Sequence, residues 1–245
     1  MNVLGIIPAR YASTRLPVKL LRTLLDKTIL QWAWENASKA RLLDSLIIAC
    51  DDPRIEEVAT SFGANVVMTS PQHSSGTDRI AEAARDIDVR IVVNIQADEP
   101  LMHPSTIDSL AQTMLDDSTL VMSTVRKKID EETEIHNPNM VKVVCDQNDY
   151  ALYFSRFPIP YHREKNSPKR YYKHLGIYAY TKDFLYTFKN LPPSSLEQAE
   201  KLEQLRALQA GYRIKVIDTL FDSWGIDTED DLQKVERILS EKGVA

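Results

Sequence analysis

The sequence predicts an α/β fold built on a mostly parallel, doubly wound sheet, with a smaller mixed-strand extension. In the first half of the chain, short β-branched segments alternate with amphipathic helical segments, the pattern of a parallel sheet covered by helices on both faces. From about residue 120, strand-like segments follow one another closely, which indicates mixed or antiparallel pairing. The length of 245 residues and the 43% hydrophobic content allow a sizeable core. We therefore expect a single domain over residues 1–245, with a strand-rich portion at about 120–190.

The first half contains four predicted strands and three predicted helices. The strands lie at residues 3–8, 45–50, 65–68 and 90–96. The helices lie at residues 29–40, 53–62 and 78–86. Thr28 is a suitable N-cap for the first helix, and Pro53 suits the first position of the second. Because ligands bind outside the carboxyl ends of the strands in doubly wound sheets, the loops after these strands should meet at one site.

The second half is richer in strands and ends in helices. Its predicted strands lie at residues 120–126, 140–145, 151–155, 174–180 and 213–220. An exposed polar loop is expected at residues 161–171. Ser194 and Glu197 form a capping box that predicts one helix running to about residue 210, and Thr228 is expected to cap the final helix.

Composition and charge argue against several classes of function. The formal net charge is −5 and basic residues are spread along the chain, so no general attraction to nucleic acid or to anionic membrane is expected. The N-terminus lacks the features of a signal peptide, and no apolar segment reaches the roughly 18 to 20 residues of a membrane span. Cys50 and Cys145 lack the spacing of a CxxC or metal motif. Reduced thiols and a cytoplasmic location are expected.

The loop after the first strand concentrates positive charge. Arg10, Arg15 and Lys19 are separated by hydroxyl and small residues, and the loop follows the carboxyl end of a parallel strand. Such a loop suits a nucleoside triphosphate, although a solvated basic loop would give the same pattern. The GxxxxGK[ST] arrangement is absent, which disfavours kinase or ATPase activity of the Walker type.

Two acidic positions are candidates for a metal site. Asp98 follows an apolar strand, where a carboxylate could hold Mg²⁺ together with substrate phosphates, or could cap the turn before Pro100. Glu99 could be a ligand or a structural residue. Asp227 precedes the predicted cap of the last helix, and by itself this position is more typical of a turn residue than of a ligand.

Seven segments together resemble one enzyme family, in order and across nearly the whole chain. They read PARYASTRLPxK, MTSPQHSSGTDR, NIQADEP, ALYFSRFPIP, KHLGIYAY, LEQAEKLEQLR and GIDTEDDL. This set resembles the CMP-Kdo synthetases, which are 3-deoxy-manno-octulosonate (Kdo) cytidylyltransferases. The resemblance implies a Rossmann-like nucleotidyltransferase fold and transfer of CMP from CTP to Kdo for lipopolysaccharide biosynthesis. It also implies Mg²⁺ as cofactor, and a cytoplasmic homodimer whose contacts come largely from the strand-rich portion.

The resemblance assigns roles to residues throughout the chain. It implies phosphate contacts for Arg10, Arg15 and Lys19, and a nucleotide pocket lined by Ser74, Ser75, Gly76 and Arg79. It implies that Asp98 and Asp227 are the protein ligands of Mg²⁺. The implied sugar-acid residues are Gln96, Arg156, His174, Tyr178, Glu200, Glu203 and Gln204. An Arg side chain can bind a carboxylate through two hydrogen bonds, while amide, imidazole and carboxylate groups can bind hydroxyls.

Several of these residues have an ordinary structural interpretation without the resemblance. His174 and Tyr178, four apart in a strand, would share a face as packed core residues. Glu200 and Gln204 would form a solvated helix stripe. Two rival functions also stay open: transfer to a related acid, such as 8-amino-Kdo or a sialic-acid-like sugar, and a catalytically silent nucleotide-binding module.

Two positions depart from the family pattern, which commonly has glycine at both. Val18 lies between Pro17 and Lys19, and Ala97 lies between Gln96 and Asp98. A missing glycine restricts the backbone conformations that a loop can adopt. No charged or coordinating group is lost, so we expect altered loop dynamics or affinity rather than lost activity.

Overall fold

The fold is described from a computed structural model, which describes residues 1–164 and 169–241. Eleven strands are present in this part of the chain: β1 (Val3–Ala9), β2 (Thr23–Leu24), β3 (Lys27–Thr28), β4 (Ser45–Cys50), β5 (Asn65–Met68), β6 (Ile91–Asn94), β7 (Met122–Lys128), β8 (Lys142–Cys145), β9 (Ala151–Ser155), β10 (Tyr172–Thr181) and β11 (Lys215–Asp218). Nine of them form one sheet, and β2 and β3 form a separate hairpin.

The parallel part of the sheet has the order β6-β1-β4-β5, with β1 at the point where the order of the chain reverses. Strand β1 is buried along nearly its whole length because helices cover both faces, and its sequence VLGIIPA is accordingly a continuous apolar run. Beyond β6 the sheet continues through β10, which is antiparallel to both β6 and β7. Strand β11 completes this edge, parallel to β7, and β8 and β9 extend from β10. This arrangement confirms the predicted parallel sheet with a mixed extension.

Nine α-helices and one short 3₁₀ helix lie in the described ranges. The α-helices are α1 (Ile29–Ala37), α2 (Pro53–Ser61), α3 (Gly76–Ala83), α4 (Pro104–Asp116), α5 (Glu132–His136), α6 (Lys182–Asn190), α7 (Ser195–Glu200), α8 (Gln204–Gln209) and α9 (Glu229–Glu241); the 3₁₀ helix is Lys19–Leu21. They bury two apolar clusters on the two faces of the sheet, which centre on Ile7 and Ile6 respectively. No helix of residues 1–164 or 169–241 is both long and apolar enough to cross a bilayer.

The predicted caps are confirmed. Thr28 accepts a hydrogen bond from the Gln31 N–H at the start of α1, and Pro53 occupies the first turn of α2. At α9, the Thr228 hydroxyl accepts from the Asp231 N–H at 3.2 Å. The strands at 45–50, 65–68 and 151–155 have the predicted bounds, and most other elements differ from prediction by a few residues at their ends.

The single helix predicted to end near residue 210 is wrong, because the chain forms two short helices, α7 and α8. Lys201 breaks the helix by adopting a left-handed conformation with φ of 54°. The carbonyl of Glu200 accepts from Arg156 Nε at 2.7 Å, so the residue that follows β9 satisfies a carbonyl at the helix end. The capping box of Ser194 and Glu197 is present as predicted. The break depends on a tertiary contact with Arg156, which is distant in the sequence, so the local sequence pattern could not predict it.

The predicted exposed loop at residues 161–171 is only partly described. Residues 165–168 lie outside the described residues. Tyr161 is exposed, whereas Tyr171 is buried next to the start of β10. The strand that follows begins at Tyr172, two residues earlier than predicted.

Candidate active site

Two cavities lie side by side at the carboxyl edge of the parallel strands. The first, of about 410 Å³, is enclosed by the loop after β1 and the start of α3. The second, of about 530 Å³, is enclosed by β10, the segment 137–141 and the region from Ser223 to Val235. Four residues line both cavities: Arg15, Gln96, Asp98 and Asp227. The two candidate metal ligands therefore lie where the cavities meet.

The two acids come from distant parts of the chain but form one cluster. Asp98 follows β6, and Asp227 precedes α9. Their segments are joined directly, because the Ile226 N–H donates to the Asp98 carbonyl at 2.9 Å. Asp231 Oδ2 accepts from the Asp227 N–H at 3.1 Å and fixes the turn before α9. Although the two acids are far apart in the sequence, these backbone hydrogen bonds hold them next to each other.

Lys19 bridges the acidic pair. Its Nζ lies 2.6 Å from Asp98 Oδ2 and 2.9 Å from Asp227 Oδ1. Burial alone would lower the pKa of Lys19, but the two carboxylates outweigh burial and raise it, so the amine stays charged. Arg15 Nη2 adds a contact to Asp227 Oδ2 at 2.9 Å. The Arg15 side chain is 62% exposed, so this second contact contributes little stability.

The acidic pair can hold Mg²⁺ only together with a ligand. Within residues 1–164 and 169–241 no group of three or more His, Cys, Asp or Glu side chains is arranged to hold a metal ion. Mg²⁺, however, usually binds through one or two carboxylates and keeps its other positions for water and substrate phosphates. Asp98 and Asp227 supply such a pair next to a cationic cavity, so the residues present fit the ion.

A buried ion pair between Asp51 and Arg79 anchors the basic loop. Asp51, just after β4, accepts from the Tyr11 N–H at 2.8 Å and from Arg79 Nη2 at 2.8 Å. Arg79 is 4% exposed and also donates to Thr69 Oγ1 at 2.6 Å. Arg79 thus lines the first cavity with its guanidinium already engaged by protein oxygens. Arg10, in contrast, is exposed and forms no ion pair with any described residue.

The start of α3 forms the opposite wall of the first cavity. Ser75 caps this helix by accepting from the Asp78 N–H, and Ser74 donates to the Asp78 carboxylate at 3.0 Å. The N-terminal amides of a helix favour anions through their partial positive charge. His73, which lies in the MTSPQHSSGTDR segment but had no predicted role, also lines this cavity and contacts Glu82.

Among the residues of β10 that line the second cavity, two carry uncharged polar side chains, His174 and Tyr178. The rings of His174 and Tyr178 lie on one face with centroids 5.3 Å apart, as their spacing predicted. Burial lowers the pKa of His174 from 6.5 to about 3 and raises that of Tyr178 well above 10. Both side chains are therefore neutral near pH 7. Gln96 and Gln204 complete this polar wall.

The predicted sugar-acid residues do not all meet in this cavity. Arg156 lines it, but its guanidinium donates to the carbonyls of Pro138 and Glu200 at 2.9 and 2.7 Å. The Glu200 carboxylate accepts from Ser155 Oγ at 2.7 Å and lines a different cavity. Glu203 accepts from Thr77 Oγ1 at 2.7 Å, on the side of α3. The roles of these three residues stay predictions.

Glu99 is a further acid of the second cavity. Burial raises its pKa to about 7. Its Oε2 accepts no hydrogen bond from the described residues. Gly176 on β10 permits the close approach of this side chain, because a Cβ at that position would lie 3.0 Å from Glu99 Oε1. The sequence left open whether Glu99 was structural or functional, and the structure places it at the cavity wall.

Comparison with known proteins identifies the family. The family profile described as cytidylyltransferase matches residues 4–215. This chain belongs to the cytidylyltransferase family. The 3-deoxy-manno-octulosonate cytidylyltransferase of Solibacter usitatus is 48% identical over 237 residues, covering 97% of this chain and 94% of the relative. The protein of the same name from Geobacter metallireducens is 45% identical and covers 98% of both chains.

Solved structures of the family agree with the fold. The structure of CMP:2-keto-3-deoxy-manno-octonic acid synthetase complexed with CTP has a TM-score of 0.93 and 40% identity, covering 99% of this chain and all of that one. A cytidylyltransferase from Leptospira borgpetersenii shares the fold at 18% identity, with a TM-score of 0.67. The predicted Rossmann-like nucleotidyltransferase fold and the resemblance to CMP-Kdo synthetases are thus confirmed.

A buried cluster of charged side chains lies next to the site. Lys173 on β10 is 1% exposed, and its Nζ lies 2.8 Å from both Glu134 Oε2 and Asp222 Oδ1. Asp222 is also 3.3 Å from Lys127. The cluster fastens the segment that leads to Asp227 onto the sheet. Lys173 begins the KHLGIYAY segment, but that segment does not show the pairing, because the members of the cluster come from four separate parts of the chain.

Proposed function

We propose that this chain transfers CMP from CTP to Kdo, releasing pyrophosphate and giving CMP-Kdo for lipopolysaccharide biosynthesis. The observation that carries the proposal is the meeting of a cationic cavity and a second, polar cavity at Asp98 and Asp227. The full-length similarity to relatives named 3-deoxy-manno-octulosonate cytidylyltransferase supports the choice of Kdo. The similarity to a synthetase complexed with CTP supports the choice of nucleotide.

In this proposal CTP occupies the first cavity. Arg10, Arg15 and Lys19 bind the phosphates, and the Ser74–Ser75 segment at the start of α3 adds backbone donors. Lys19 and Arg15 form ion pairs with the two acids and exchange these partners for phosphates when CTP binds. Arg79 stabilises the wall of this cavity through its ion pair with Asp51, which in turn binds the Tyr11 N–H of the loop.

Kdo occupies the second cavity in this proposal, with its anomeric hydroxyl toward the acidic pair. Gln96, His174, Tyr178 and Gln204 offer hydrogen bonds to its hydroxyls. Arg156 binds the sugar carboxylate once it exchanges its present carbonyl partners for the substrate. Glu200 and Glu203 have a structural role, in which Glu200 accepts a hydrogen bond from Ser155 and Glu203 accepts one from Thr77.

The reaction is an in-line displacement. The anomeric hydroxyl loses its proton to solvent as its oxygen forms a bond to the α-phosphorus of CTP, the bond from that phosphorus to the bridging oxygen breaks, and pyrophosphate leaves with the electron pair. Asp98 and Asp227 would hold Mg²⁺, which when bound polarises the α-phosphate and lowers the pKa of the attacking hydroxyl. The protein contributes chiefly by aligning the two substrates and by stabilising the leaving pyrophosphate with the basic loop.

The test is pyrophosphate release from CTP by the purified protein in the presence of Mg²⁺. Kdo, its 8-amino analogue, N-acetylneuraminate and a blank without acceptor are compared. We expect release with Kdo and none in the blank. Preference for another acid would retain the mechanism and change the substrate, and no release with any acid would favour a silent nucleotide-binding module.

The proposal includes a homodimer that acts in the cytoplasm, where CTP is available. Exposed apolar side chains lie in or just after the β8–β9 hairpin, including Leu152 at 63%, Phe157 at 74% and Tyr161 at 86% exposure. Clusters of this kind typically mark association surfaces. Light scattering should give the mass of a dimer, and replacing Phe157 and Tyr161 by Ser should give that of a monomer.

A further inference from the structure

The pairing of β7 with β10 is irregular beside the second cavity. Leu175 pairs with Val125, but Thr124, the residue before Val125 in β7, pairs with Tyr178. Two residues of β10, Gly176 and Ile177, therefore bulge out of the ladder. Bulges next to active sites commonly re-aim side chains. Here the bulge brings carbonyls of β10 within reach of the Thr124 hydroxyl.

The Thr124 hydroxyl has defined donor and acceptor roles. It is fully buried, lies 2.7 Å from the Ile177 carbonyl oxygen and 3.4 Å from that of Leu175, and lies 2.9 Å from His174 Nε2. A hydroxyl has one hydrogen to donate, and a carbonyl can only accept. The hydrogen is therefore committed to the backbone of the bulge, with Ile177 as the nearer acceptor. Toward His174 the Thr124 oxygen is left as an acceptor.

This arrangement determines which imidazole nitrogen carries the proton. Because Thr124 accepts, His174 Nε2 must be the N–H, and in a neutral ring Nδ1 is then unprotonated. The ring lies against the edge of Phe154 and beside Tyr178, without a carboxylate partner in the described part of the chain. Nδ1 forms no hydrogen bond with any described residue, and His174 lines the second cavity.

We propose that Thr124 is a positioning residue that holds His174 as the Nε2–H tautomer, so that Nδ1 accepts a hydrogen bond from a hydroxyl of the sugar acid. The inference rests on the proposed function for the identity of the donor, but not for the tautomer. It deepens the specificity of the site, because an acceptor nitrogen binds a hydroxyl and repels a carboxylate. It therefore orients the acid with its hydroxylated face toward β10.

The tautomer can be measured directly in the intact protein without substrate. The chain has five histidines, and ¹⁵N-histidine labelling with His174→Gln as the assignment reference isolates one ring. Two-bond correlations between ring protons and nitrogens distinguish the Nε2–H tautomer from the Nδ1–H tautomer. We expect the Nε2–H pattern for His174 in the wild type, and a mixed pattern in Thr124→Val. A wild-type ring in the Nδ1–H form would overturn the proposal.

Kinetics test the consequence for the sugar acid. Thr124→Val should raise KM for Kdo by roughly 5- to 50-fold, the size expected when a buried hydrogen bond is lost, and should change KM for CTP by less than about twofold. Thr124→Ser keeps the hydroxyl and should restore both the tautomer and KM. The matched control is Ser123→Ala, which removes a fully buried hydroxyl of the same strand that has no hydrogen-bond partner in the described residues.

The outcomes separate this proposal from the proposed function. If Kdo is not a substrate but His174 has the Nε2–H pattern and loses it in Thr124→Val, the proposed function fails and the role of Thr124 stands. If Kdo is a substrate and Thr124→Val leaves the tautomer and KM unchanged, the role of Thr124 is refuted. An equal rise in KM for Ser123→Ala, or no rescue by Thr124→Ser, would refute it as well.

Discussion

The two halves of the candidate site are built by opposite means. The nucleotide side is a loop with the exposed cation Arg15 and the mostly buried cation Lys19, both paired with acids that the proposed function has them exchange for phosphates. The sugar-acid side includes buried, neutral groups of the sheet, of which His174 is already hydrogen-bonded to Thr124. Exposed charges lose little hydration on changing partners, so they suit a ligand that arrives with several charges. Buried neutral groups lose more when unpaired and therefore suit recognition of hydroxyl direction.

The largest expected effect is at the junction of the halves. Asp98→Asn removes one of the two carboxylates proposed to hold Mg²⁺, and a loss of several kcal/mol corresponds to roughly two to four decades in turnover. Initial rates of pyrophosphate release at saturating CTP and Kdo measure it. Glu229→Gln is the matched control, because Glu229 lies two residues past Asp227 but pairs with Arg22 at the surface. Near-normal turnover in Asp98→Asn would remove this residue from the mechanism.

On the sugar-acid side, the buried cluster around Lys173 should contribute more to the free energy of unfolding than exposed ion pairs do. Lys173→Met leaves the carboxylates of Glu134 and Asp222 without their closest cation, and we expect a loss of about 3 to 5 kcal/mol in the free energy of unfolding. Urea unfolding measures it. Lys128→Met is the control: its partner Asp130 is 3.6 Å away and both side chains are mostly exposed, so the expected loss is about 0 to 1 kcal/mol. Equal losses in both variants would show that burial does not determine how much the Lys173 cluster stabilises the fold.

The neutral state of His174 predicts a pH dependence of stability. Its pKa is about 3 in the folded protein and 6.5 ordinarily, so between these values the unfolded chain binds the extra proton. Its contribution is therefore constant above pH 6.5 and is lost as pH falls toward 3. The maximum slope is about 1.4 kcal/mol per pH unit, and we expect less because the ring borders a cavity. His174→Gln should flatten the acid limb of unfolding free energy, whereas the non-titrating change Ser123→Ala should leave its slope as in the wild type.

The sequence predicted the parallel half of the fold better than the site that the fold creates. Continuous apolar strands and local caps such as Thr28 depend on neighbouring residues, so their patterns are visible in the chain. Asp98 and Asp227 could be paired only through the family resemblance, because 128 intervening residues separate them. Thr124 lies outside the seven family segments, and the KHLGIYAY segment, which begins at Lys173, does not show the ionic partners of this residue. Their roles come from the antiparallel insertion of β10 between β6 and β7, which no local pattern specifies.

The smallest expected effects are at the two positions where the family commonly has glycine. The sequence predicted the same consequence for both positions, but the structure distinguishes them. Val18, before the 3₁₀ helix, has φ of 53° and ψ of 33°, a left-handed conformation that is costly for a β-branched residue. Ala97 is buried and is not among the described residues with positive φ. Val18→Gly should therefore raise the free energy of unfolding by about 1 kcal/mol, because it relieves the strained backbone.

Ala97→Gly should act in the opposite direction and lower the free energy of unfolding by about 1 kcal/mol, since glycine gains conformational freedom in the unfolded chain and a buried methyl is lost. Urea unfolding of both variants measures the pair, and KM for CTP measures whether either change alters the nucleotide loop. Val18 precedes Lys19, so relief of its strain should change KM for CTP more than KM for Kdo. Shifts of the same sign in both variants would show that the left-handed backbone at Val18 does not determine the effect.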